Sequence, residues 1–425
     1  MIEPELSCRA CGAPLVHTFV DLGLSPPCQT VVRRDDLGEP ETFYPLHAYV
    51  CDVCSLVQID DVVPPDAIFN ADYAYFSGYS DSWVAHAWRY VDTVAERFGL
   101  GPDSLLVEIA SNDGYLLQHA VARGIPCLGV EPAAAVAEAA RQRGVPTREA
   151  FFDEAEARRM VAEGLRADVI AANNVLAHTP HLNAFIAGLA VLLDAHGVAT
   201  VEVPHLLRLV DGTQFDTIYH EHYSYFSFTA LQRAFARHDL VLFDVDELPT
   251  HGGSLRIYAR HRADDTKPVA PSVPALLARE RAWGVDERAP YAAFAERTRA
   301  RKRDLLAFLI EAAREGKTVA GYGAPGKGNT LLNYCGIRTD LLAYTVDRNP
   351  HKQGTVTPGT RIPIYAPERI GETRPDYVLI LPWNLRDEIA AQMAGIGEWG
   401  GRFVVPIPTL EVFEPPAGGG PGHDV

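Results

Sequence analysis

The sequence predicts an α/β protein with a small N-terminal zinc-binding module, a central doubly wound parallel sheet and a C-terminal Rossmann-like domain. Three observations predict it. Two cysteine pairs, C-R-A-C at 8–11 and C-D-V-C at 51–54, bracket a segment rich in turn residues. From residue 105 to 204, short apolar strands alternate with helical stretches. After residue 317 the alternation restarts around a glycine-rich turn. At 425 residues the chain exceeds one ordinary core. The modules expected are 1–65, 66–262 and 263–415, followed by a disordered tail at 416–425.

The net charge of −17 disfavours a nucleic-acid groove, which needs clustered positive charge. A local basic pocket for a small anion remains compatible with it. No apolar run approaches the length of a membrane span. The start, M-I-E-P-E-L-S-C, is acidic and lacks the apolar stretch of a signal peptide. The expectation is a cytoplasmic protein without nucleic-acid or membrane partners. A monomer is the expected state, although no feature of the sequence fixes it.

The elements follow in order. Cys8, Cys11, Cys51 and Cys54 form two knuckles, each with two thiolates spaced for one ion. Four thiolates around Zn²⁺ leave no open position, so the site reads as scaffold, with metal substituting for a core. Of the seven cysteines, Cys28 in S-P-P-C-Q stands apart from the pairs. Residues 66–82 crowd aromatic side chains between Tyr73 and Tyr79. They are either a packing patch or a segment supplying a phenol to a site. A helix is expected over 83–98, ended by Gly99.

Strands are then expected at 105–110, 126–132, 147–151, 167–174 and 197–204, with helices at 115–123, 133–143 and 181–193. Ligands of such sheets sit at the carboxyl ends of the strands. The first strand and its loop, V-E-I-A-S-N-D-G, offer Glu108, Ala110, Asn112, Asp113 and Gly114. Glu131, closing the second strand before Pro132, is placed to accept ribose hydroxyls, and Asn173 and Asn174 close the fourth. The loop lacks GxGxxG, which fits S-adenosylmethionine better than a dinucleotide, since that cofactor has no pyrophosphate. The connection leaving the fifth strand carries Y-H-E-H-Y-S-Y-F-S at 219–227, dense in titratable side chains. It reads as acid–base machinery or as buried structural residues. A helix at 228–238 and a hairpin at 240–248 and 254–260 close the sheet, and 261–290, punctuated by prolines, reads as a linker.

A long helix is expected at 291–315, then strands near 317, 341–346, 377–381 and 402–407. Gly321, Gly323 and Gly326 spell G-x-G-x-x-G, and Asp347 stands where a ribose-binding acid would. Alone this suggests an NAD-dependent oxidoreductase. Lys327 instead places a cation beside backbone N–H groups, which suits a pyrophosphate of some kind.

With these pieces in place the chain resembles the sugar C-methyltransferases of deoxysugar biosynthesis, of the D-mycarose and tetronitrose type. The matching stretches are C-R-A-C with C-D-V-C, V-E-I-A-S-N-D-G-Y-L-L, N-N-V-L-A-H, Q-F-D-T-I-Y-H-E-H-Y-S-Y-F-S, T-H-G-G-S-L-R, G-A-P-G-K-G-N-T-L-L-N-Y and L-P-W-N-L, running nearly end to end. The resemblance implies a central class I S-adenosylmethionine methyltransferase sheet and a C-terminal domain that helps hold a nucleotide sugar. It implies C-methylation of a nucleotide-linked (dTDP) 4-keto-6-deoxysugar, commonly at C3. His222 would be the base, with Tyr73, His178, Tyr219 and Glu221 around the reacting sugar. Tyr75, His220, Gly323, Lys327, Asn329, Asp347 and Lys352 would hold the rest of the substrate. The glycine loop would then serve the sugar nucleotide, which demotes the oxidoreductase reading. A non-catalytic sugar-nucleotide-binding protein is the third reading. Gly326 departs from the alanine expected there.

Overall fold

The computed structural model describes residues 6–63 and 81–416. Tyr73, Tyr75 and the residues from 417 onward lie outside them. In the N-terminal region β1 (His17–Ser25) pairs with β2 (Tyr44–Val50), and the short β3 (Val57–Ile59) follows the second cysteine pair.

The central sheet uses β4 (Leu106–Ile109), β5 (Cys127–Val130), β6 (Thr147–Arg148), β7 (Ala167–Asn173), β8 (Leu193–Pro204), β10 (Leu240–Leu248) and β11 (Ser254–His261), with β9 (Ser224–Tyr225) pairing elsewhere. Its order is β10-β11-β8-β7-β4-β5-β6. β4 lies near the middle and is buried throughout, as an apolar strand covered on both faces must be. The pairs from β6 through β8 are parallel, and β8–β11 and β10–β11 are antiparallel. The expected closing hairpin is therefore present. Parallel strands at β4, β5, β7 and β8 bring their carboxyl ends, and the loops after them, to one edge.

β9 pairs antiparallel with β3, with Val57 opposite Tyr225 and Gln58 opposite Ser224. The strand leaving the cysteine site thus grips the chain just past His222.

By compactness the chain forms two interleaved units, which differ from three consecutive modules. One is Met1–His17, Val50–Leu207 and Glu221–Arg288, and the other is Thr18–Tyr49, Arg208–His220 and Ala289–Val425. The second contains β12 (Val319–Tyr322), β13 (Thr345–Val346), β14 (Ile364–Tyr365), β15 (Tyr377–Ile380), β16 (Arg402–Val405) and β17 (Glu411–Phe413), in the order β14-β13-β12-β15-β16-β17. Residues 18–49 belong here for physical reasons. Phe19 stacks on Phe294 of helix Ala289–Arg314 at 4.5 Å between ring centroids, Asn329 donates to the Cys28 carbonyl at 2.7 Å, and Arg361 pairs with Glu41 at 3.2 Å. Among the described residues no helix is long and apolar enough to cross a membrane.

The stretch read as a linker contains a helix, Ser272–Trp283. Its prolines misled: Pro274 sits in the first turn, where its missing N–H costs no helical bond. Val273, Leu276 and Glu280 form its buried face. Glu280 is fully buried and accepts from the Phe228 and Thr229 amides (both 2.7 Å), the Thr229 hydroxyl (2.6 Å) and His205 Nε2 (2.9 Å). It caps the helix Phe228–Ala236, whose first turn also receives Ser227 Oγ through the Ala230 amide.

Removing the Glu280 carboxylate strands four buried donors. Glu280→Ala should cost about 3–5 kcal/mol of unfolding free energy in denaturant titration. These donors hold the Glu280 carboxyl below its usual range despite burial. Its contribution is therefore complete above the unfolded carboxyl pKa, roughly 4.3, and fades as pH falls through the folded value. The Glu280→Gln variant should lack that acid-side loss when unfolding is followed against pH.

Candidate active site

The two cysteine knuckles are built alike. Gly12 and Ser55, each the residue after a C-x-x-C, have φ of 78° and 61°. Their N–H groups close onto the Cys8 and Cys51 carbonyls at 2.8 and 2.9 Å. The four sulfurs lie within 4.8 Å of one another, with Cys8–Cys54 and Cys11–Cys51 both at 3.5 Å. Thiolates about 2.3 Å from a tetrahedral Zn²⁺ stand roughly 3.8 Å apart, so this donor set fits that ion. Gln58 Nε2 donates to Cys8 Sγ at 3.1 Å, a second layer that fixes a thiolate ligand. Arg9, inside the first knuckle, donates to Gln58 Oε1 and to the Ile59 carbonyl, and its guanidinium lies 5.3 Å from the Tyr223 ring centre. The metal site is thus wired to the strand that grips the Y-H-E-H segment.

The carboxyl edge of the parallel strands gathers the residues expected to hold the cofactor. Ala110, Asn112 and Gly114 have φ of 55°, 51° and 78°, so the loop after β4 turns tightly. Glu131 accepts from the Asn112 amide at 3.0 Å and the Ala133 amide at 2.9 Å, around half-buried Pro132. Burial pushes the Glu131 carboxyl up, and these two amides pull it back. Glu108 is 1% exposed, and burial together with the Glu131 and Asp113 charges raises it well above the usual range. Asp113 is held by Arg143 at 2.8 Å, which makes it a brace of the loop. Several buried polar atoms at this edge have no hydrogen-bond partner among the described residues: Glu108 Oε2, Ser111 Oγ, Asn173 Oδ1 and both amide atoms of Asn174. An edge so short of partners fits a polar adenosyl cofactor.

The Y-H-E-H segment crosses from one unit to the other between His220 and Glu221. In the first unit, the Tyr223 amide donates to the Ala177 carbonyl at 2.8 Å and the Ile59 amide donates to the Tyr223 carbonyl at 3.1 Å. His222 is left half-buried between fully buried neighbours. Its ring meets His178 edge-on at 4.7 Å between centroids. Burial drives His178 down to about 4, against a hydrogen bond with the Glu221 backbone, so it is a neutral imidazole near pH 7. Burial pushes the Glu221 carboxyl up to about 8. In the second unit Tyr219 is half-buried, while His220 is buried, donates to the Pro45 carbonyl at 3.1 Å and sits edge-on to Tyr44.

The glycine loop of the second unit is tied to itself. Asp347 Oδ2 accepts from the Ala324 amide at 2.8 Å, and Lys352 Nζ donates to the Ala324 carbonyl at 2.8 Å. Gly323 has φ of 87°, and a Cβ there would stand 2.6 Å from Pro382 Cδ. Lys327, at the start of helix Gly326–Cys335, donates to Asn384 at 2.8 Å and lies 4.7 Å from the Trp383 ring centre. Asn329 is directed at Cys28, and a Cβ on Gly326 would approach Cys28 Sγ to 2.9 Å. The glycine at 326 is therefore explained by the chain packed over it.

Two groups escaped sequence reasoning. Buried Glu202 on β8 pairs with Arg256 on β11 at 2.8 Å and with His86 at 3.1 Å. Buried Asp216, in Q-F-D-T-I, accepts from the Trp383 indole at 2.7 Å. The one visible signal was the lone charge of Glu202 inside an otherwise apolar strand.

Elemental analysis of purified protein should find about one zinc per chain. Cys54→Ser should lose that ion and most turnover while cofactor affinity falls less, because β3 guides the catalytic segment. Glu131→Ala should weaken S-adenosylmethionine binding about 10–100-fold by calorimetry, as expected for losing charged hydrogen bonds.

Three family models match in chain order: a zinc binding domain at residues 8–69, a methyltransferase domain at 82–245 and a C-methyltransferase C-terminal domain at 249–408. The C-methyltransferase NovU of Streptomyces niveus is 37% identical over 416 residues, covering 97% of this chain and 98% of that protein. Among solved structures, magnesium protoporphyrin IX methyltransferase of Synechocystis PCC 6803 with bound SAM has a TM-score of 0.33 at 16% identity, covering 46% of this chain and 88% of that one. An O-methyltransferase family protein of Burkholderia thailandensis has a TM-score of 0.35 at 18% identity, covering 47% and 63%. With a relative of such identity along nearly its whole length, this chain belongs to the C-methyltransferase family its motifs resemble, an enzyme that uses S-adenosylmethionine as cofactor and zinc as a structural metal.

Proposed function

We propose that the enzyme methylates a carbon beside the ketone of a nucleotide-linked 4-keto-6-deoxysugar, dTDP-linked and at C3 in the first expectation. The observation that carries this reading is neutral His178 set edge-on to partly exposed His222 and bonded to the Glu221 backbone, with the Glu221 carboxyl held protonated by burial. A carbon beside a ketone yields its proton only because the charge spreads onto oxygen. The chain must therefore take a proton and meet a growing oxyanion.

Bound S-adenosylmethionine supplies an electrophilic methyl group. His222 takes the proton, and its half-buried ring leaves room for a substrate to approach. Glu221, held protonated by burial, is a hydrogen-bond donor for the oxygen as charge grows there. Neutral His178 holds the neighbouring imidazole in place without adding a repelling charge. Tyr219 and Tyr73 are further candidate donors. Gly323, Lys327, Asp347 and Lys352 form the loop read as the diphosphate anchor, with His220 and Asn329 supporting its surroundings. Tyr75 completes the substrate set.

Incubation with S-adenosylmethionine and a dTDP-4-keto-6-deoxysugar should add one methyl group to the sugar by mass spectrometry. NMR of the product then distinguishes C3 from C5, since both flank a C4 ketone. Unmodified sugar from active, cofactor-binding enzyme would refute the substrate class. His222→Asn should lower turnover roughly 10²–10⁴-fold and stop exchange of the adjacent proton with D₂O. Because protonated Glu221 is the working form, kcat should fall as pH rises through about 8. Glu221→Gln, a fixed neutral donor, should flatten that alkaline limb.

A further inference from the structure

The turn T-H-G-G between β10 and β11 follows a costly backbone path. His251, Gly252 and Gly253 have φ of 54°, 91° and 118° in succession. The glycines tolerate this freely; His251 alone carries a Cβ into the left-handed region. Buried anchors hold the turn on both sides of it. Thr250 Oγ1 donates to Glu202 Oε1 at 3.0 Å, Ser254 Oγ donates to the Thr250 carbonyl at 3.0 Å, and the His205 amide donates to the Gly253 carbonyl at 3.0 Å. Glu202 is itself fixed by Arg256 and His86.

The anchoring leaves the His251 side chain exposed. Its ring lies 5.0 Å from Trp83, which stacks on His86 and lies 6.3 Å from Tyr115, the residue after the cofactor loop. Register fixes the location: Glu202 stands opposite Asn173 on β7 and Arg256 on β11. The turn therefore overhangs the carboxyl edge where Asn173 and Asn174 end. His251 is also near enough to His178 for its charge to depress that imidazole. A strained residue, buttressed by a buried network and presenting an exposed imidazole to a cofactor edge, is the arrangement expected of a working side chain.

We infer that His251 is a substrate-facing residue, held at the rim of the cofactor edge by Thr250, Glu202 and Arg256 so that its imidazole hydrogen-bonds a hydroxyl of the acceptor sugar. This rests on the nucleotide-sugar reading above. The test uses His251→Gly and His251→Asn in the full chain, because both residues accept the left-handed backbone and neither threatens the fold. Unfolding midpoints should equal or exceed wild type. The kcat/KM for the sugar should fall at least about tenfold, as when a site built to bond a hydroxyl loses its partner, with KM carrying much of the change. S-adenosylmethionine affinity should stay within about twofold of wild type, since no adenosyl contact is removed. Thr250→Val should give a smaller loss of the same kind.

Wild-type kcat/KM in both His251 variants would overturn the inference. So would a parallel loss of cofactor affinity, which would assign the turn to the cofactor, or lowered midpoints, which would make His251 structural. A wild-type enzyme that leaves the sugar unmethylated would overturn the substrate reading and this inference with it. Full wild-type turnover beside fully active variants would overturn the inference alone.

Discussion

The segment expected to carry the base is held in register by one short pairing. Val57–Ile59 and Ser224–Tyr225 join antiparallel, and the Ile59 amide extends the ladder to the Tyr223 carbonyl. The opposite side of Tyr223 is pinned by the Ala177 carbonyl. Tyr223, the next residue after His222, is therefore fixed from two directions by backbone hydrogen bonds, while the His222 ring stays partly open. A two-residue pairing is marginal unless its own strand is rigid. The cysteine knuckles, Gln58 and Arg9 supply that rigidity, and Glu280 does the same for the helix that follows. A metal held by these four cysteines, with no open coordination position, would thus serve the reaction by geometry alone.

Much of this was legible in the sequence because its signals are local. Strand–helix alternation, C-x-x-C spacing and an acid at the end of a second strand each occupy a few residues. The carboxyl edge of the parallel strands followed from them, and Glu131 and Asn174 follow strands that end on it. Ties across long stretches of chain were not legible. Nothing near Glu280 announces that it caps a helix starting at Phe228, and prolines hid the helix that carries it. Nothing near Phe19 announces Phe294. Nothing near Glu202 announces that Arg256 pairs with it across adjacent strands. Protonation was also invisible, since Glu221 owes its raised pKa to burial alone.

The electrostatics of the cofactor edge are consistent with a cationic guest. Glu108, Asp113 and Glu131 are all buried around one loop, and their mutual repulsion is part of why Glu108 resists ionisation. A positively charged ligand relieves such crowding, and an anionic one would add to it. In the glycine loop of the second unit the cations are matched by carboxylates: Lys352 stands 3.9 Å from Asp347, and Lys327 feels the charge of buried Asp216.

The interleaving of the two units has a consequence for how the chain is made. Residues 18–49 emerge early, yet Phe19, Cys28 and Glu41 find their partners at Phe294, Asn329 and Arg361. At a synthesis rate of roughly 5–20 residues per second, this segment waits on the order of tens of seconds for them. During that time its buried-to-be side chains are exposed, while the knuckles on either side can already close on an ion. Zinc captured at the ribosome would tether both ends of the waiting segment and shorten its search. Metal supply during translation, more than in the finished enzyme, would then govern the yield of folded protein.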